Sequence, residues 1–174
     1  MTIQTEILKT ILKSQYHAAL QMLHQSIETC PDDLWESGSY RNQFWQVAYH
    51  TLFFTHLYLQ PELSAFKPWA EHRSDVQHED AIVGAADPES KLPLIANPYS
   101  KRQVMDYWSF CDQMIDSAVD DLDLSAGESG FSWYTCSKLE HQFINLRHTQ
   151  HHTAQLADRL RTFADIGIKW VGPK

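Results

Sequence analysis

The chain has 174 residues, of which 43% are hydrophobic, and its formal net charge is −8 at pH 7. This length and composition predict a single domain over residues 1–174 with one hydrophobic core. The acidic balance and the lack of a basic stripe argue against nucleic acid and membrane partners, and no apolar run reaches the roughly 18 residues of a membrane span.

Cysteine usage and the first residues predict a cytoplasmic protein. The chain has an odd number of cysteines, and they are scattered without CxxC spacing: Cys30, Cys111 and Cys136. This pattern is typical of reduced, buried thiols. Residues 1–15 carry Glu6 and lack a small-residue cleavage site, so we do not expect a secretory signal peptide there.

The first predicted helix covers residues 3–28, where apolar residues recur every three or four positions. Ile7 and Ile11 belong to the stripe that we expect to be buried. Pro31 ends this helix, and the residues from Pro31 to Trp35 are expected to form a turn with an apolar anchor.

The second predicted helix covers residues 41–59 and is apolar almost all round, which is typical of a helix buried on most sides. His50 lies in its middle, with Val47, Phe54 and Leu57 at helical spacing. A buried imidazole needs a polar partner. Either a hydrogen bond or a metal ion would satisfy it.

Residues 61–100 lack helical periodicity and contain five of the seven prolines, with an apolar anchor at Phe66–Trp69. A connection of this length has either a functional or a structural reason. If the helices on either side of it run parallel, the chain must return over the full length of the bundle.

Two further helices are predicted at residues 101–122 and 138–164, each opened by a capping box, at Ser100–Gln103 and Ser137–Glu140. Four long helices predict an all-α fold, a four-helix bundle with the second and third helices parallel and joined by the long crossover.

Three histidines lie within five residues of the last helix, at positions 148, 151 and 152. His148 and His152 are four apart, so about 40° of rotation and 6 Å of rise separate their Cβ atoms, and both can bind one cation. On a helical wheel centred on the apolar stripe from Leu146 to Phe163, His152 lies nearest the core, His148 next and His151 faces solvent. His151, three residues from His148, is the alternative candidate for the second ligand.

In a bundle, metal sites are built from inward side chains of facing helices. A di-iron carboxylate site needs Glu-x-x-His pairs, which the sequence lacks. The remaining hypothesis is that His50 faces His148 and His152, a three-imidazole set with one open position that suits zinc or nickel. The other histidines that we considered are not expected to be ligands: His17, His24, His56, His72 and His78.

At these residues the chain resembles the DinB/YfiT-like superfamily of metalloenzymes. That signature reads here as Val47-Ala48-Tyr49-His50 and, far downstream, as the segment from His148 to Leu156 that contains His151-His152 and Gln155. Thr153-Ala154 departs from the Arg-Gly pair of many members. The resemblance covers essentially the whole chain. It implies a divalent metal on His50, His148 and His152, an up-down-down-up bundle, a homodimer and a small-molecule substrate. In characterised branches it implies metal-dependent transfer to a low-molecular-weight thiol such as bacillithiol or mycothiol.

Three classes of function are compatible with the sequence: a thiol S-transferase, a metal-dependent hydrolase, and a non-catalytic stress or interaction module with a structural metal or none. A hydrolase usually needs a carboxylate near its metal as a general base. Neither Glu140 nor Asp158 is expected near the site, so thiol chemistry is favoured, although the connection between Glu71 and Glu79 could supply one. A bundle with hydrogen-bonded, metal-free histidines is the remaining alternative.

Substrate is expected to enter where the second helix ends. The sequence suggests Phe66, Trp69 and Trp170 for the rim of the pocket. Trp133 and Tyr134 are expected at the opposite end, as structural anchors. The alternative is that all five aromatic residues seal the ends of the core.

Overall fold

The computed structural model describes residues 3–37, 39–40, 42–74, 76–77 and 97–173. These residues form an all-α protein, as predicted, and contain no strand. The helices are α1 (Ile3–Thr29), α2 (Asp32–Trp35), α3 (Phe44–Tyr58), α4 (Lys101–Asp121) and α5 (Lys138–Ala164), with a 3-10 helix at Leu63–Ala65. None of the described helices is both long and apolar enough to cross a membrane.

Local capping signals account for the starts of α4 and α5. The Ser100 side chain accepts from the backbone N–H of Gln103, and the Gln103 side chain binds back to Ser100. The Ser137 hydroxyl accepts from the backbone N–H of Glu140 at 3.2 Å. Both helices therefore begin where the sequence predicts, because the cap satisfies backbone donors that the first turn leaves without partners.

Two boundaries differ from the prediction. Helix α3 begins at Phe44 instead of residue 41, because Gln43 and Gln46 form a reciprocal capping box that polarity alone does not reveal. The expected turn after Pro31 is the short helix α2, whose Trp35 is buried and donates its indole N–H to the Tyr99 carbonyl at 2.9 Å.

Helix α1 packs against α4 and α5, and α3 packs against the same two helices. The space between the four long helices is filled by large, fully buried side chains, including Tyr16, Leu20, Trp45, Tyr49 and Ile115. Helix α3 is buried along almost its whole length, as its composition predicts. His50 on α3 therefore has to face a neighbouring helix, and that helix is α5.

Three apolar residues that the sequence assigned to the core are exposed: Ile7 by 54%, Ile11 by 49% and Phe163 by 56%. On α1, Lys9 is buried instead of the two isoleucines, and its ammonium donates to the Asp120 carbonyl at 2.5 Å. Phe163 lies beyond the start of α3, since Arg159 already reaches the Asn42 carbonyl at 2.8 Å. Spacing alone does not show where a neighbouring helix stops.

Candidate metal centre

Three histidines from two helices meet between α3 and α5. The Nε2 atoms of His50 and His148 are 3.0 Å apart, and one ring nitrogen from each of His50, His148 and His152 lies within 4.8 Å of the others. The ring centroids form a nearly equilateral triangle, with sides of 5.0, 4.7 and 4.5 Å. His50 and His152 are only 9% and 5% exposed. The structure thus brings together the three side chains that the sequence singled out.

Buried polar contacts fix how α5 lies against α3. The Gln142 amide donates to the Tyr58 carbonyl at 3.0 Å, and the Asn145 amide donates to the Thr55 carbonyl at 3.2 Å. One turn further, the hydroxyls of Thr149 and Thr55 are 2.8 Å apart. Each contact would be lost if α5 slid by one turn, which is about 5.4 Å. These contacts therefore hold the α5 histidines level with the α3 histidine.

The tautomer of His50 follows from its partner. Its Nδ1 atom lies 2.8 Å from the backbone carbonyl of Gln77. A carbonyl can only accept, so Nδ1 carries the proton and donates it. In the neutral ring, Nε2 is then the nitrogen with a lone pair, and it is the atom that faces His148. A proton or a cation must lie between two such nitrogens, because two lone pairs repel each other.

His152 is oriented in the same way by a side-chain amide. Its Nδ1 atom lies 2.8 Å from Oε1 of Gln155, while the Nε2 amide nitrogen of Gln155 lies 3.3 Å from a ring nitrogen of His151. The two contacts agree: the amide oxygen accepts from His152, and the amide nitrogen donates to His151. The lone pair of His152 is then on Nε2, while His151 is exposed and holds the far side of the amide.

His148 is the ring that burial keeps neutral most strongly. Burial and, to a smaller extent, the neighbouring His152, His50 and His151 together lower the pKa of His148 to about 3. Its Nδ1 atom is buried and has no hydrogen-bond partner among the described residues. A neutral imidazole is the form that binds metal ions, so the environment selects the ligating state.

The donor set fits a divalent transition metal. A tetrahedral zinc ion bonds to imidazole nitrogens at about 2.0–2.1 Å, which places such nitrogens about 3.3–3.4 Å apart. The three nitrogens here lie within 4.8 Å of one another, and the closest pair is 3.0 Å apart. Small side-chain rotations are enough to close the set. Among the described residues, no carboxylate or thiolate joins the cluster, so three imidazoles would leave a fourth position open.

The two histidines of α1, His17 and His24, are not part of the cluster, as the sequence predicts. The two ring nitrogens of His17 lie 2.8 and 3.3 Å from the carboxylates of Asp112 and Asp116 on α4. His24 packs edge-on against Trp108, with ring centroids 4.4 Å apart. Neither histidine belongs to the cluster.

Helix α3 and the connection after it hold three more. His72 lies outside the cluster, as predicted, and its Nδ1 atom is 2.7 Å from the Tyr49 hydroxyl. His56 lies in the last turn of α3 and outside the cluster, as predicted; it is buried, with Nδ1 3.0 Å from the Tyr107 hydroxyl of α4. His78 lies outside the described residues.

His141 is a buried, titratable residue that the sequence patterns did not single out. It is fully buried, and burial and then the charge of Lys138 lower its pKa to about 4. Its ring packs against Tyr58 and Phe131, both at 4.8 Å between centroids. The signal was available, since His141 precedes His148 by seven residues and so lies on the same face of α5. It is too far along the helix to join the cluster.

A cavity of about 350 Å³ lies beside His50 and His148, on the far side of the Phe54 ring. The described residues of its lining are Phe53, Phe54, Leu57, Tyr58, Leu63, Phe66, Gln77 and Trp133. The Phe54 ring lies 4.7 Å from His50 and 5.6 Å from His148, between centroids. A larger cavity of about 500 Å³ lies around the loop at 127–136.

Of the residues expected at the rim, Phe66 lines this cavity, whereas Trp69 and Trp170 are not among its described lining residues. Trp133 lines the cavity, because the start of α5 lies beside the end of α3, as the bond from Lys138 to the Pro61 carbonyl at 2.6 Å shows. Trp170 is 81% exposed and follows Lys169, which is bound to Gln25 near the end of α1. Trp69 stacks on Tyr107 at 4.7 Å and does not line the cavity. The expectation for Trp133 was inconsistent with the expected bundle, because in an antiparallel pair the start of α5 lies beside the end of α3.

The resemblance to the DinB/YfiT-like superfamily depends on the histidines and on Gln155. The structure brings the three motif histidines into one cluster and gives Gln155 a hydrogen bond to one of them. The resemblance itself stays a prediction from the motif. Comparisons of the chain with models of protein families, with curated proteins and with solved structures found no match.

Proposed function

We propose that this protein is a metal-dependent enzyme that binds a divalent ion, zinc or nickel, through His50, His148 and His152. The observation that carries the proposal is the convergence of three imidazoles, two of which have Nδ1 atoms held by carbonyl oxygens. Such partners behind metal-binding histidines fix the tautomer and raise the basicity of the ligating nitrogen. A structural core of histidines would not require this alignment.

We further propose that the reaction is the transfer of an electrophilic group to a low-molecular-weight thiol. A divalent ion at an open site supplies Lewis acidity and lowers the pKa of a coordinating thiol. No carboxylate among the described residues joins the cluster to act as the general base of a hydrolase. Glu71, one end of the segment considered for that role, is instead hydrogen-bonded to the Gln103 amide at 3.0 Å. Glu79 lies outside the described residues.

The proposed transfer is a substitution at carbon. The thiol proton is released to water, the sulfur forms a bond to the electrophilic carbon, and the leaving group departs with the electron pair of the bond that breaks. The residues of the chain position the imidazoles and exclude water. The Gln77 carbonyl and Gln155 hold two imidazoles in one tautomer, and the Phe54 ring covers His50 and His148 on the cavity side.

We also propose that the four long helices form an up-down-down-up bundle with a long crossover between α3 and α4. Pairs of contacts give the directions. Arg159 and Lys138 reach Asn42 and Pro61 respectively, which supports antiparallel α3 and α5. Lys9 reaches Asp120 and Trp108 reaches Leu20, which supports antiparallel α1 and α4. Trp45 packs on Tyr99 and His56 on Phe110, which supports parallel α3 and α4.

Elemental analysis of the purified protein tests the metal site. We expect about one divalent ion per chain in the wild type and in His151→Ala, and a loss of most of it in His152→Ala. His151 is a matched control, since it is the neighbouring histidine and is exposed. Equal metal content in the two variants, or no metal in the wild type after reconstitution, would reject the proposed site.

A mass-spectrometric assay tests the chemistry. The protein is incubated with a neutral aryl halide and 2-mercaptoethanol, and thioether formation is compared with hydrolysis of a phenyl ester. We expect thioether formation that His152→Ala abolishes. Ester hydrolysis that depends on His152, without thioether formation, would replace the transferase with a hydrolase.

A further inference from the structure

The cavity beside the histidines differs in chemistry from the cluster itself. Of the eight lining residues that the structure describes, five are aromatic and two are leucines. Among the lining residues that the structure describes, none is Asp, Glu, Lys or Arg. Its volume of about 350 Å³ is in the range of small-molecule sites in proteins, which is about 300–1,000 Å³.

The cavity and the cluster share a wall. Phe54 contacts the rings of both His50 and His148 and also lines the cavity. Gln77 lines the cavity and accepts from the Nδ1 of His50. The ring of Tyr58, a third lining residue, lies 6.5 Å from that of His148. None of the three histidines is among the described lining residues, so a molecule in this cavity would reach His50 and His148 past the Phe54 ring.

The polar groups among the described lining residues carry no charge that could compensate a buried one. Burial raises the pKa of Tyr58 above its usual value, so its phenol stays neutral near pH 7, and Gln77 is also uncharged. A charged group moved into such surroundings loses its hydration without gaining an ionic partner. An aromatic group instead gains contact with ring faces and edges.

Two large apolar residues of the lining are left open to solvent. Trp133 is 49% exposed and Leu63 is 46% exposed, although both adjoin a cavity whose other aromatic walls are buried or half-buried. Exposed apolar groups gathered at the mouth of a cavity are typical of ligand sites. An apolar ligand would cover both side chains when it binds.

We infer that the histidine site takes an uncharged substrate with an aromatic group, which this cavity holds while the reactive end faces the three imidazoles. The inference rests on the proposed function and adds its substrate class. It also makes Trp133 a residue that determines specificity, through contact with the aromatic group.

The test uses three thiols that differ in the group that would enter the cavity, and the ratio of their affinities is compared between wild type and variants so that differences in thiol acidity cancel. Cobalt(II)-loaded protein is titrated with benzyl mercaptan, ethanethiol and 4-(mercaptomethyl)benzoate, and dissociation constants are read from the sulfur-to-cobalt charge-transfer absorption. We expect benzyl mercaptan to bind at least about tenfold more tightly than ethanethiol, because a phenyl ring is buried. The benzoate should lose this advantage, because its carboxylate would be desolvated.

Tryptophan variants locate the effect. Trp133→Ala should weaken benzyl mercaptan binding at least about threefold and leave ethanethiol unchanged. Trp170→Ala is the matched control and should change neither, since Trp170 is 81% exposed and lies outside the cavity lining. Equal constants for benzyl mercaptan and ethanethiol, or an unchanged ratio in Trp133→Ala, would overturn the inference and leave the metal site standing.

Absence of the charge-transfer band with all three thiols would reject the proposed function instead. The cavity is then tested in the metal-free protein with benzyl alcohol and benzoate by ligand-detected nuclear magnetic resonance. Binding of benzyl alcohol alone, weakened in Trp133→Ala, would still support the inference. Equal binding of the two molecules, or binding of neither, would overturn it.

Discussion

Replacing Gln155 by leucine should weaken metal binding without unfolding the protein. The Gln155 carbonyl oxygen accepts the Nδ1 proton of His152 at 2.8 Å and thereby keeps the lone pair of His152 on Nε2. Leucine has a similar size but cannot accept a hydrogen bond. The imidazole of His152 would then be free to exchange tautomers and to rotate. Gln155 is exposed, so the substitution leaves no cavity in the core.

The structure sets the size of the expected effect. Loss of a hydrogen-bond partner behind a metal-binding histidine typically lowers metal affinity by about 10- to 100-fold. Water can replace an acceptor at an exposed position, so Gln155→Leu should fall at the lower end, about tenfold or about 1.4 kcal/mol. Gln155→Glu should restore the affinity or raise it, because a carboxylate accepts the same proton more strongly.

Competition with a chelating dye of known zinc affinity measures the difference. Gln150→Leu is the matched control: Gln150 lies two residues from both His148 and His152, so its side chain leaves the helix about 160° away from theirs. Its zinc affinity should equal that of the wild type. Wild-type affinity in Gln155→Leu, or equal losses in the leucine and glutamate variants, would refute the role of this hydrogen bond.

Two further predictions concern the end of the fold where α5 begins. Burial lowers the pKa of His141 to about 4, whereas an unfolded histidine titrates near about 6.5, so the native state excludes a proton that the unfolded chain accepts. The contribution of His141 to the free energy of unfolding is complete above about pH 6.5 and is lost as the pH falls towards 4. Between pH 7 and 5, the free energy of unfolding in urea should therefore fall less in His141→Phe than in the wild type, by about 1–2 kcal/mol. Equal losses in the two proteins would contradict the assignment. Gly130 has φ +85°, and an added Cβ would lie 2.3 Å from the Pro61 carbonyl oxygen, so Gly130→Ala should lower the free energy of unfolding by at least about 1–3 kcal/mol. Gly127→Ala, with open space around it, is the control and should be near neutral.

Most of the fold could be predicted from local signals in the sequence. The serine caps at Ser100 and Ser137 and the breaks in periodicity fix the ends of α4 and α5, because capping is decided by residues within one turn. The start of α3 was missed since its cap is a pair of glutamines, Gln43 and Gln46, which are weak signals at that position. The exposure of Ile7 depends on where neighbouring helices lie, and spacing on one helix does not contain that information.

The histidine cluster was predictable for a different reason. A wheel for one helix ranks His152, His148 and His151 by distance from the apolar face, and the observed burial follows that order. His50 was identifiable because a polar ring in the middle of an apolar helix requires a partner. The surroundings of the cluster were predicted less well. In an up-down-down-up bundle α3 and α5 are antiparallel, so the loop before α5, with Trp133, lies beside the end of α3. The expectation for Trp133 and Trp170 did not follow that topology.

The buried polar side chains of α5 explain how two helices can present three ligands at one point. A face of leucines would pack α5 against α3 in several registers, because apolar contact is not directional. Gln142, Asn145 and Thr149 instead bind particular groups of α3, two of them backbone carbonyls. In another register these groups would be buried without partners, at a cost of about 1–3 kcal/mol each. The same contacts leave His148 one residue from Thr149, directed at His50 with 3.0 Å between their Nε2 atoms. The polar face of α5 thus gives up some apolar burial and in return specifies the register on which the metal site depends.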